Sequence, residues 1–159
     1  MEVQENAKRP MIKRIFSKLG VKYTVAILLV LVFALAYLFD FVWSKTYEVQ
    51  VISISDQTPY ADQTERVEIT VQVKHFGKEM AGHSMFALPN AGRMESYTAK
   101  TDENGYATFV YIPHEVNKFD PDPILDVVIK IRDESNSVVW EVNAYGNVEL
   151  TLKRGKRPK

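Results

Sequence analysis

Three histidines, His75, His83 and His114, are the side chains of this sequence whose chemistry best suits a metal ion. Neutral imidazole binds zinc and copper, and strand ends that converge at one edge of a β domain could bring three such rings together. Their spacing, however, matches no motif of metal ligands. We therefore predict no metal site and no cofactor, and these three histidines are the candidates if a metal is bound.

Two short acidic clusters, Asp102-Glu103-Asn104 and Asp120-Pro121-Asp122, could bind calcium, but aspartate and asparagine at such positions are equally typical of turns. The sequence contains no Gly-rich phosphate loop, no G-x-S-x-G motif and no H-E-x-x-H motif. It also has no cysteine, which excludes a disulfide, a thiolate metal site and a cysteine nucleophile. We predict that the protein has no catalytic residues and is not an enzyme.

The first long apolar stretch of the chain runs from Tyr23 to Phe39 without a charged residue. A helix needs about 20 residues, at about 1.5 Å each, to cross the hydrocarbon core of a bilayer. We therefore predict one transmembrane helix over residues 21–44. Tyr23, Phe39 and Trp43 would be its interfacial anchors, and Asp40 would lie near the outer interface, where its carboxylate stays in contact with water.

The distribution of charge predicts the orientation of this helix. Residues 1–22 contain six basic and two acidic residues, whereas residues 45–152 contain nine basic and seventeen acidic residues. The positive-inside rule places residues 1–20 in the cytoplasm and residues 45–153 outside the cell membrane, followed by a basic tail over residues 154–159. The basic segment also has the pattern of an amphipathic helix lying on anionic lipid. Its predicted lipid contacts are Lys13, Arg14, Lys18 and Lys22.

A cleaved signal peptide is the alternative to a retained anchor. Ala34-Leu35-Ala36 matches the small-x-small pattern that precedes a cleavage site. The apolar residues continue directly after it, however, and the basic region ahead of it is long, which together favour an anchor.

After Ser44 the pattern changes to the two-residue period of half-buried β-strands. Val67, Ile69, Val71 and Val73, for example, alternate with polar residues. We expect a hairpin turn at Asn104-Gly105, and loops over 133–137 and 144–147 that separate the last three strands of a meander. About eight short strands are predicted, over residues 47–55, 67–73, 84–88, 95–101, 107–112, 125–131, 138–142 and 148–152. Strands at this spacing predict a two-sheet sandwich.

The stretch from Val67 to Pro113 resembles bacterial immunoglobulin-like domains of the invasin and intimin type. The matching features are the strand VEITVQV, the segment Gly77–Gly82 ahead of the strand HSMFAL, and above all the motif TDENGYATF over Thr101–Phe109. Related motifs occur in collagen-adhesin B-type repeats and in carboxypeptidase-regulatory-like domains. The resemblance covers about a third of the chain. It implies an immunoglobulin-like β-sandwich of seven or eight strands that acts as a spacer, adhesin module or assembly subunit.

Aromatic residues of the domain are the remaining indication of binding. We expect most of them in the core and a few in loops, where they could dock on a partner. They are Tyr60, Phe76, Phe86, Tyr97, Tyr106, Tyr111, Phe119 and Tyr145.

These patterns together favour a non-catalytic, single-pass membrane protein whose outer domain contacts other membrane or surface proteins, as an accessory or structural subunit of a complex. Its partners would be the lipid bilayer and those proteins, with no nucleic acid. The first alternative is a cell-surface module that binds carbohydrate or wall polymer. The second is a secreted, metal-binding accessory domain that is released by cleavage after Ala36.

The retained anchor makes a prediction about the mature protein. Protease added to intact cells should degrade the region beyond Trp43 while sparing the N-terminal segment, because only the outer domain would be accessible. N-terminal sequencing of the mature chain should find residues ahead of Ala36 still present. A mature chain that begins directly after Ala36 would instead establish the secreted form.

Overall fold

The computed structural model describes residues 20–116, 119, 122–137, 140 and 142–155. The chain divides into two compact units, Met1–Phe39 and Asp40–Lys159. The predicted amphipathic helix, with Lys13, Arg14 and Lys18, and the end of the basic tail lie outside the described residues.

One long helix, α1, spans Val21–Ser44 and confirms the predicted N-terminal helix. Its hydrogen-bond ladder begins at the carbonyl oxygen of Gly20, which accepts from the amide of Tyr23 at 2.9 Å. Neither proline nor glycine interrupts the helix, and nearly all its side chains before Asp40 are exposed. Among the described residues it is the one helix long and apolar enough to cross a membrane, a property that signal sequences share.

Nine strands follow in the described part of the chain. They are β1 Tyr47–Ile54, β2 Val67–His75, β3 Lys78–Glu79, β4 Ser84–Pro89, β5 Arg93–Met94, β6 Thr98–Lys100, β7 Tyr106–Ile112, β8 Asp126–Asp133 and β9 Tyr145–Thr151.

The strands form two antiparallel sheets. The first sheet has the order β1-β2-β7-β5, with β3 paired to the end of β2, and the second has the order β6-β4-β8-β9. Constant-type immunoglobulin domains, whose strands are named A to G along the chain, place A-B-E-D in one sheet and C-F-G in the other. In this chain β1, β2, β7 and β5 take the A, B, E and D positions, and β4, β8 and β9 take the C, F and G positions. The strand order therefore confirms the predicted immunoglobulin-like sandwich, to which β3 and β6 are additions.

The core lies between the inward faces of the two sheets, where the alternation predicted from the sequence is observed. Every second residue from Val67 to Val73 and from Val127 to Asp133 is at most 1% exposed, while the residues between them are mostly exposed or half-buried. Buried aliphatic side chains each stabilise the fold by about 1.5–3 kcal/mol relative to exposure. The inward residues of these two strands are Val67, Ile69, Val71 and Val73, facing Val127, Ile129 and Ile131.

Asn104-Gly105 forms a tight turn, but the predicted hairpin is wrong. Gly105 has a φ of 75°, and Asp102 Oδ1 accepts hydrogen bonds from the amides of Asn104 and Tyr106 at 2.9 and 2.8 Å. However, β6 before the turn pairs with β4, whereas β7 after it pairs with β2. The turn therefore carries the chain from the second sheet to the first, because a tight turn reverses the chain without determining which strands pair.

The predicted loop over 144–147 is also wrong, because β9 begins at Tyr145 and pairs directly with β8. Gly146 lies within the strand, where an added Cβ atom would approach the Val49 carbonyl oxygen to 3.0 Å. This glycine therefore lets β9 pass close to β1 of the other sheet. Most of the predicted strand over 138–142 lies outside the described residues, and Trp140 and Val142, which are described, are not in a strand.

Tyr111 is the largest side chain of the core and has one polar atom to satisfy. It is 0% exposed, and its hydroxyl donates to the carbonyl oxygen of Ala91 at 2.9 Å. Burial raises the pKa of Tyr111 to about 12, because the charged phenolate would lose its hydration.

This shift predicts a loss of stability in alkali. The unfolded chain releases the Tyr111 proton near pH 10 while the folded chain retains it, so the free energy of unfolding falls as the pH rises from about 10 to about 12. The part due to Tyr111 is at most about 2–3 kcal/mol. Tyr111→Phe should lose this part of the pH dependence in urea titrations, and the exposed control Tyr145→Phe should keep it. Identical alkaline profiles for Tyr111→Phe and the wild type would contradict the assignment.

Candidate interaction surface

The fold brings two of the three candidate histidines together and separates the third. The His75 ring stacks on Tyr47 at 4.0 Å between centroids, and His83 lies 5.7 Å from the same tyrosine. His114 follows β7, which runs antiparallel to β2, so it lies at the opposite end of the first sheet, roughly 25 Å from His75 at about 3.3 Å per residue. In the described part of the chain, no three His, Cys, Asp or Glu side chains form a group that could hold a metal ion.

His83 instead forms a buried pair with Asp133, which sequence reasoning did not predict. The two residues are 9% and 0% exposed, and His83 Nδ1 donates to Asp133 Oδ2 at 2.6 Å. Asp133 Oδ1 accepts from the amide of Ser135, and the amide of His83 donates to Thr101 Oγ1. The pair therefore ties the start of β4 to the end of β8 through His83 Nδ1 and the Asp133 carboxylate.

The predicted membrane anchors are divided between the two units. Tyr23 and Phe39 belong to the first unit and are 70% and 62% exposed, and Lys22, next to Tyr23, is also exposed. Trp43 belongs to the second unit, where its ring lies 4.9 Å from His75 and 6.5 Å from Phe76. Their contact with lipid stays a prediction.

Asp40 is fully buried, which corrects the expectation that its carboxylate stays in contact with water. Asp40 Oδ2 accepts hydrogen bonds at 2.8 Å from the Ser137 hydroxyl and from the Trp140 amide. Ser137 Oγ in turn accepts from the amide of Val142 at 3.0 Å. A buried carboxylate is costly unless hydrogen bonds replace its lost water. The connection between β8 and β9 supplies those bonds.

The outward side of the second sheet carries exposed apolar, aromatic and basic side chains, and we call it the aromatic–basic face. The Arg132 guanidinium lies over the Phe86 ring at 4.9 Å, and that ring stacks with Tyr97 at 6.3 Å. Leu88 and Tyr145 are 52% and 69% exposed. The face comprises Phe86, Leu88, Tyr97, Lys130, Arg132 and Tyr145.

The strand register places these side chains in two rows across the sheet. Phe86 pairs with Arg132, which pairs with Tyr145. In the next row Leu88 pairs with Lys130, which pairs with Asn147. Phe86 and Arg132 thus meet through pairing between strands, and a cation held over a ring contributes about 0.5–1 kcal/mol at an exposed site.

The outward side of the first sheet is different and largely polar. Glu48 pairs with Lys74, and Thr70 contacts Thr108 at 3.3 Å between hydroxyl oxygens. Glutamate, glutamine, lysine and threonine side chains are well solvated at a protein surface, so their burial in an interface contributes little binding free energy. We call this surface the polar face; its exposed and half-buried polar residues are Glu48, Gln50, Glu68, Thr70, Lys74 and Thr108. It also includes the exposed Tyr106, which pairs with the buried Gln72.

A groove of about 530 Å³ lies at the β8–β9 side of the aromatic–basic face. Its lining combines two cations, two amides and one exposed aromatic ring. These residues are Lys130, Arg132, Asn143, Tyr145 and Asn147.

Sequence reasoning found only part of this surface. The sequence pointed to Phe86, Tyr97 and Tyr145 as candidate contacts. The expectation that most of the eight candidate aromatic residues lie in the core is wrong, since among them only Tyr111 is fully buried. Leu88, Lys130 and Arg132 were missed. A signal for Leu88 existed, because the strand SMFALP is apolar on both of its faces, and one of those faces cannot be in the core of a two-layer sandwich.

Comparison with known proteins gives structural similarity only. No family model matches this chain, and no curated protein matches it. Among solved structures, the D0-D1 domain of intimin aligns with a TM-score of 0.46 and 17% identity, over 65% of this chain and 49% of the intimin fragment. A C-terminal 282-residue fragment of intimin, solved with the intimin-binding domain of the translocated intimin receptor, aligns with a TM-score of 0.46 and 22% identity over 63% and 32%.

A conjugate transposon protein (27–141) from Bacteroides vulgatus, solved by NMR, aligns with a TM-score of 0.41 and 14% identity, over 66% of this chain and 83% of that one. This chain spans about half or less of the two intimin fragments that it matches.

The buried Asp40 makes a testable prediction about stability. Asp40→Ala removes the acceptor for the Ser137 hydroxyl and the Trp140 amide, and should lower the free energy of unfolding of the sandwich by about 1–3 kcal/mol. Asp40→Asn should recover part of the loss, because its amide oxygen still accepts a hydrogen bond. Chemical unfolding of the full chain in detergent micelles, followed by near-UV circular dichroism, measures both.

Asp126→Ala is the matched control for Asp40→Ala, since Asp126 is exposed and also accepts a hydroxyl hydrogen bond, from Thr151. It should change stability by no more than about 0.5 kcal/mol. Equal effects of the two substitutions would show that the Asp40 contacts contribute no more than an exposed hydrogen bond.

Proposed function

We propose that this chain is a single-pass membrane protein whose immunoglobulin-like domain lies outside the cytoplasm and binds a neighbouring membrane or surface protein through the aromatic–basic face. The exposed apolar side chains of α1 support the anchor, because such a surface is stable in lipid and unfavourable in water. The basic segment ahead of the helix supports the orientation.

The contrast between the two outward faces carries the proposal. Both sheets use their inward sides for the core, so each outward side is free to suit its own surroundings. The polar face is mostly polar and includes the exposed Tyr106. The aromatic–basic face exposes Leu88, Tyr97 and Tyr145 beside Lys130 and beside Arg132, which is ion-paired with Glu134. Tyrosine and arginine are enriched among the residues that dominate protein interfaces, because each combines a large contact area with hydrogen bonding.

A role as an accessory or structural subunit follows from the short reach of the domain. The helix ends at Ser44 and β1 begins at Tyr47, so only two residues separate them. A nine-residue strand such as β2 is roughly 30 Å long. A domain of this size, held this close to its anchor, is suited to contact proteins in the same membrane.

We assign no catalytic residue to the protein. The His83–Asp133 pair, which combines groups common in catalysis, is buried and holds β4 to β8. A structural role accounts for its burial, since a catalytic pair needs a face open to substrate.

Binding of carbohydrate or wall polymer is the second candidate function, and the groove beside β9 favours it. Exposed tyrosine rings stack on sugars, amide side chains hydrogen-bond to hydroxyls, and cations suit acidic polymers. Tyr145, Asn143, Asn147 and Lys130 present these groups together.

Paired variants test the protein-binding role. The full chain is extracted in mild detergent and its mass is measured under native conditions. We expect the wild type to migrate with at least one other membrane or surface protein. Leu88→Ala combined with Tyr145→Ala should weaken that complex at least about tenfold, because interface anchors of this kind are worth about 1 kcal/mol or more each.

The matched control changes the polar face, as Gln50→Ala combined with Thr108→Ala, and should leave the complex intact. Equal loss with both pairs would contradict a role for the aromatic–basic face. A lone chain that binds purified wall fragments, and loses them when Tyr145 is replaced, would establish the second candidate instead.

A further inference from the structure

One end of the sandwich concentrates aromatic residues, and we call it the aromatic base: Trp43, Phe76 and Trp140. It is the end where β2 finishes and where the last turn of α1 enters the second unit. Both tryptophans of the sequence lie there. All three residues belong to the unit Asp40–Lys159.

Phe76 is exposed at this end, and its backbone has an unfavourable left-handed conformation. It is 70% exposed and has a φ of 48°, the one positive φ among the described non-glycine residues. For a bulky side chain this region of backbone conformation is unfavourable by roughly 1 kcal/mol or more. The cost places an aromatic ring at the tip of the β2–β3 turn, 6.5 Å from Trp43.

Trp140 reaches the same end through Asp40. The Trp140 amide donates a hydrogen bond to the Asp40 carboxylate at 2.8 Å, and Asp40 lies about one helical turn before Trp43. Trp140 itself is 42% exposed. The aromatic base thus has a member on the helix, one on the β2–β3 turn and one on the β8–β9 connection.

The height of the bilayer along α1 is set by length. From Tyr23, about 17–20 residues cross the hydrocarbon core, so the helix leaves it between Phe39 and Val42, within about one turn of Trp43. Tryptophan and other amphipathic aromatic rings favour the zone between hydrocarbon and water.

We propose that the aromatic base rests in the interfacial zone of the bilayer that α1 crosses, with Phe76 and Trp140 as lipid contacts supplied by the domain. This inference rests on the proposed membrane anchor. Lipid is the proposed partner of the aromatic base because Phe76 lies beside Trp43, the predicted interfacial anchor of the helix. Charge adds little attraction, since Lys45 and Lys78 at this end are offset by Glu48 and Glu79. The contact should therefore persist in high salt.

Single-cysteine labelling tests the inference without background, because the chain has no cysteine of its own. Phe76→Cys in the full chain is labelled with an environment-sensitive fluorophore and reconstituted into vesicles of phosphatidylcholine and phosphatidylglycerol. Its matched control is Phe119→Cys, an 81% exposed phenylalanine in the connection from β7 to β8, at the opposite end of the sandwich. Lys78→Cys, in exposed β3, repeats the test if Phe76→Cys fails to fold.

We expect the label at 76 to emit at shorter wavelength than the label at 119 and to lose fluorescence when spin-labelled lipid is added, in low and in high salt. If the chain stays in the vesicles after an alkaline carbonate wash but labels 76 and 119 respond alike, the inference is overturned and the anchor stands. A blue shift at 76 without quenching by spin-labelled lipid overturns it in favour of a protein contact. Loss of the chain from the vesicles overturns the anchor, and with it the inference.

Discussion

The two sheets are held face to face by apolar side chains alone. Immunoglobulin domains of antibodies join strands B and F with a disulfide, but this chain has no cysteine. The strands in those positions, β2 and β8, are instead lined by valine and isoleucine that are at most 1% exposed. Stability therefore depends on apolar packing at nearly all inward positions of these strands, and the functional surfaces are built from outward positions, turns and connections.

Two fully buried carboxylates, Asp133 and Asp40, receive hydrogen bonds from neighbouring groups. Asp133 is enclosed, but His83 and the Ser135 amide supply its hydrogen bonds. Asp40 is enclosed in the same way by Ser137 and Trp140. Because removal of one partner would leave a buried charge uncompensated, these two carboxylates act as fixed points for the β8–β9 connection. The end of α1 is thereby part of the compact unit that contains the sandwich.

The outward surfaces divide into three chemical environments. The polar face is suited to water, the aromatic–basic face to a protein or an acidic polymer, and the aromatic base to the boundary of a bilayer. Each is made by residues that are free of core packing, so each can differ without changing the fold. Two of the exposed aromatics illustrate the division, since Phe76 and Tyr145 belong to different surfaces and neither is a poorly packed core residue.

Local patterns were sufficient for the helix, for most strands and for the class of fold. The uncharged run from Tyr23 and the alternation from Val67 to Val73 are set by neighbouring residues, and the TDENG motif marks a turn whose glycine needs a positive φ. Hydrophobic periodicity is a property of a few consecutive positions, so the sequence alone predicts these features.

Pairing between distant segments was decided by the tertiary structure. The sequence predicted the turn at Asn104-Gly105. That the chain crosses from one sheet to the other there depends on pairing with β4 and β2, which lie far from the turn in the sequence. Phe86, Arg132 and Tyr145 become neighbours only because β4, β8 and β9 adjoin in one register. The burial of Asp40 likewise depends on Ser137 and Trp140, about one hundred residues away. Contacts of this kind arise from the packing of whole sheets, and no short window of residues contains them.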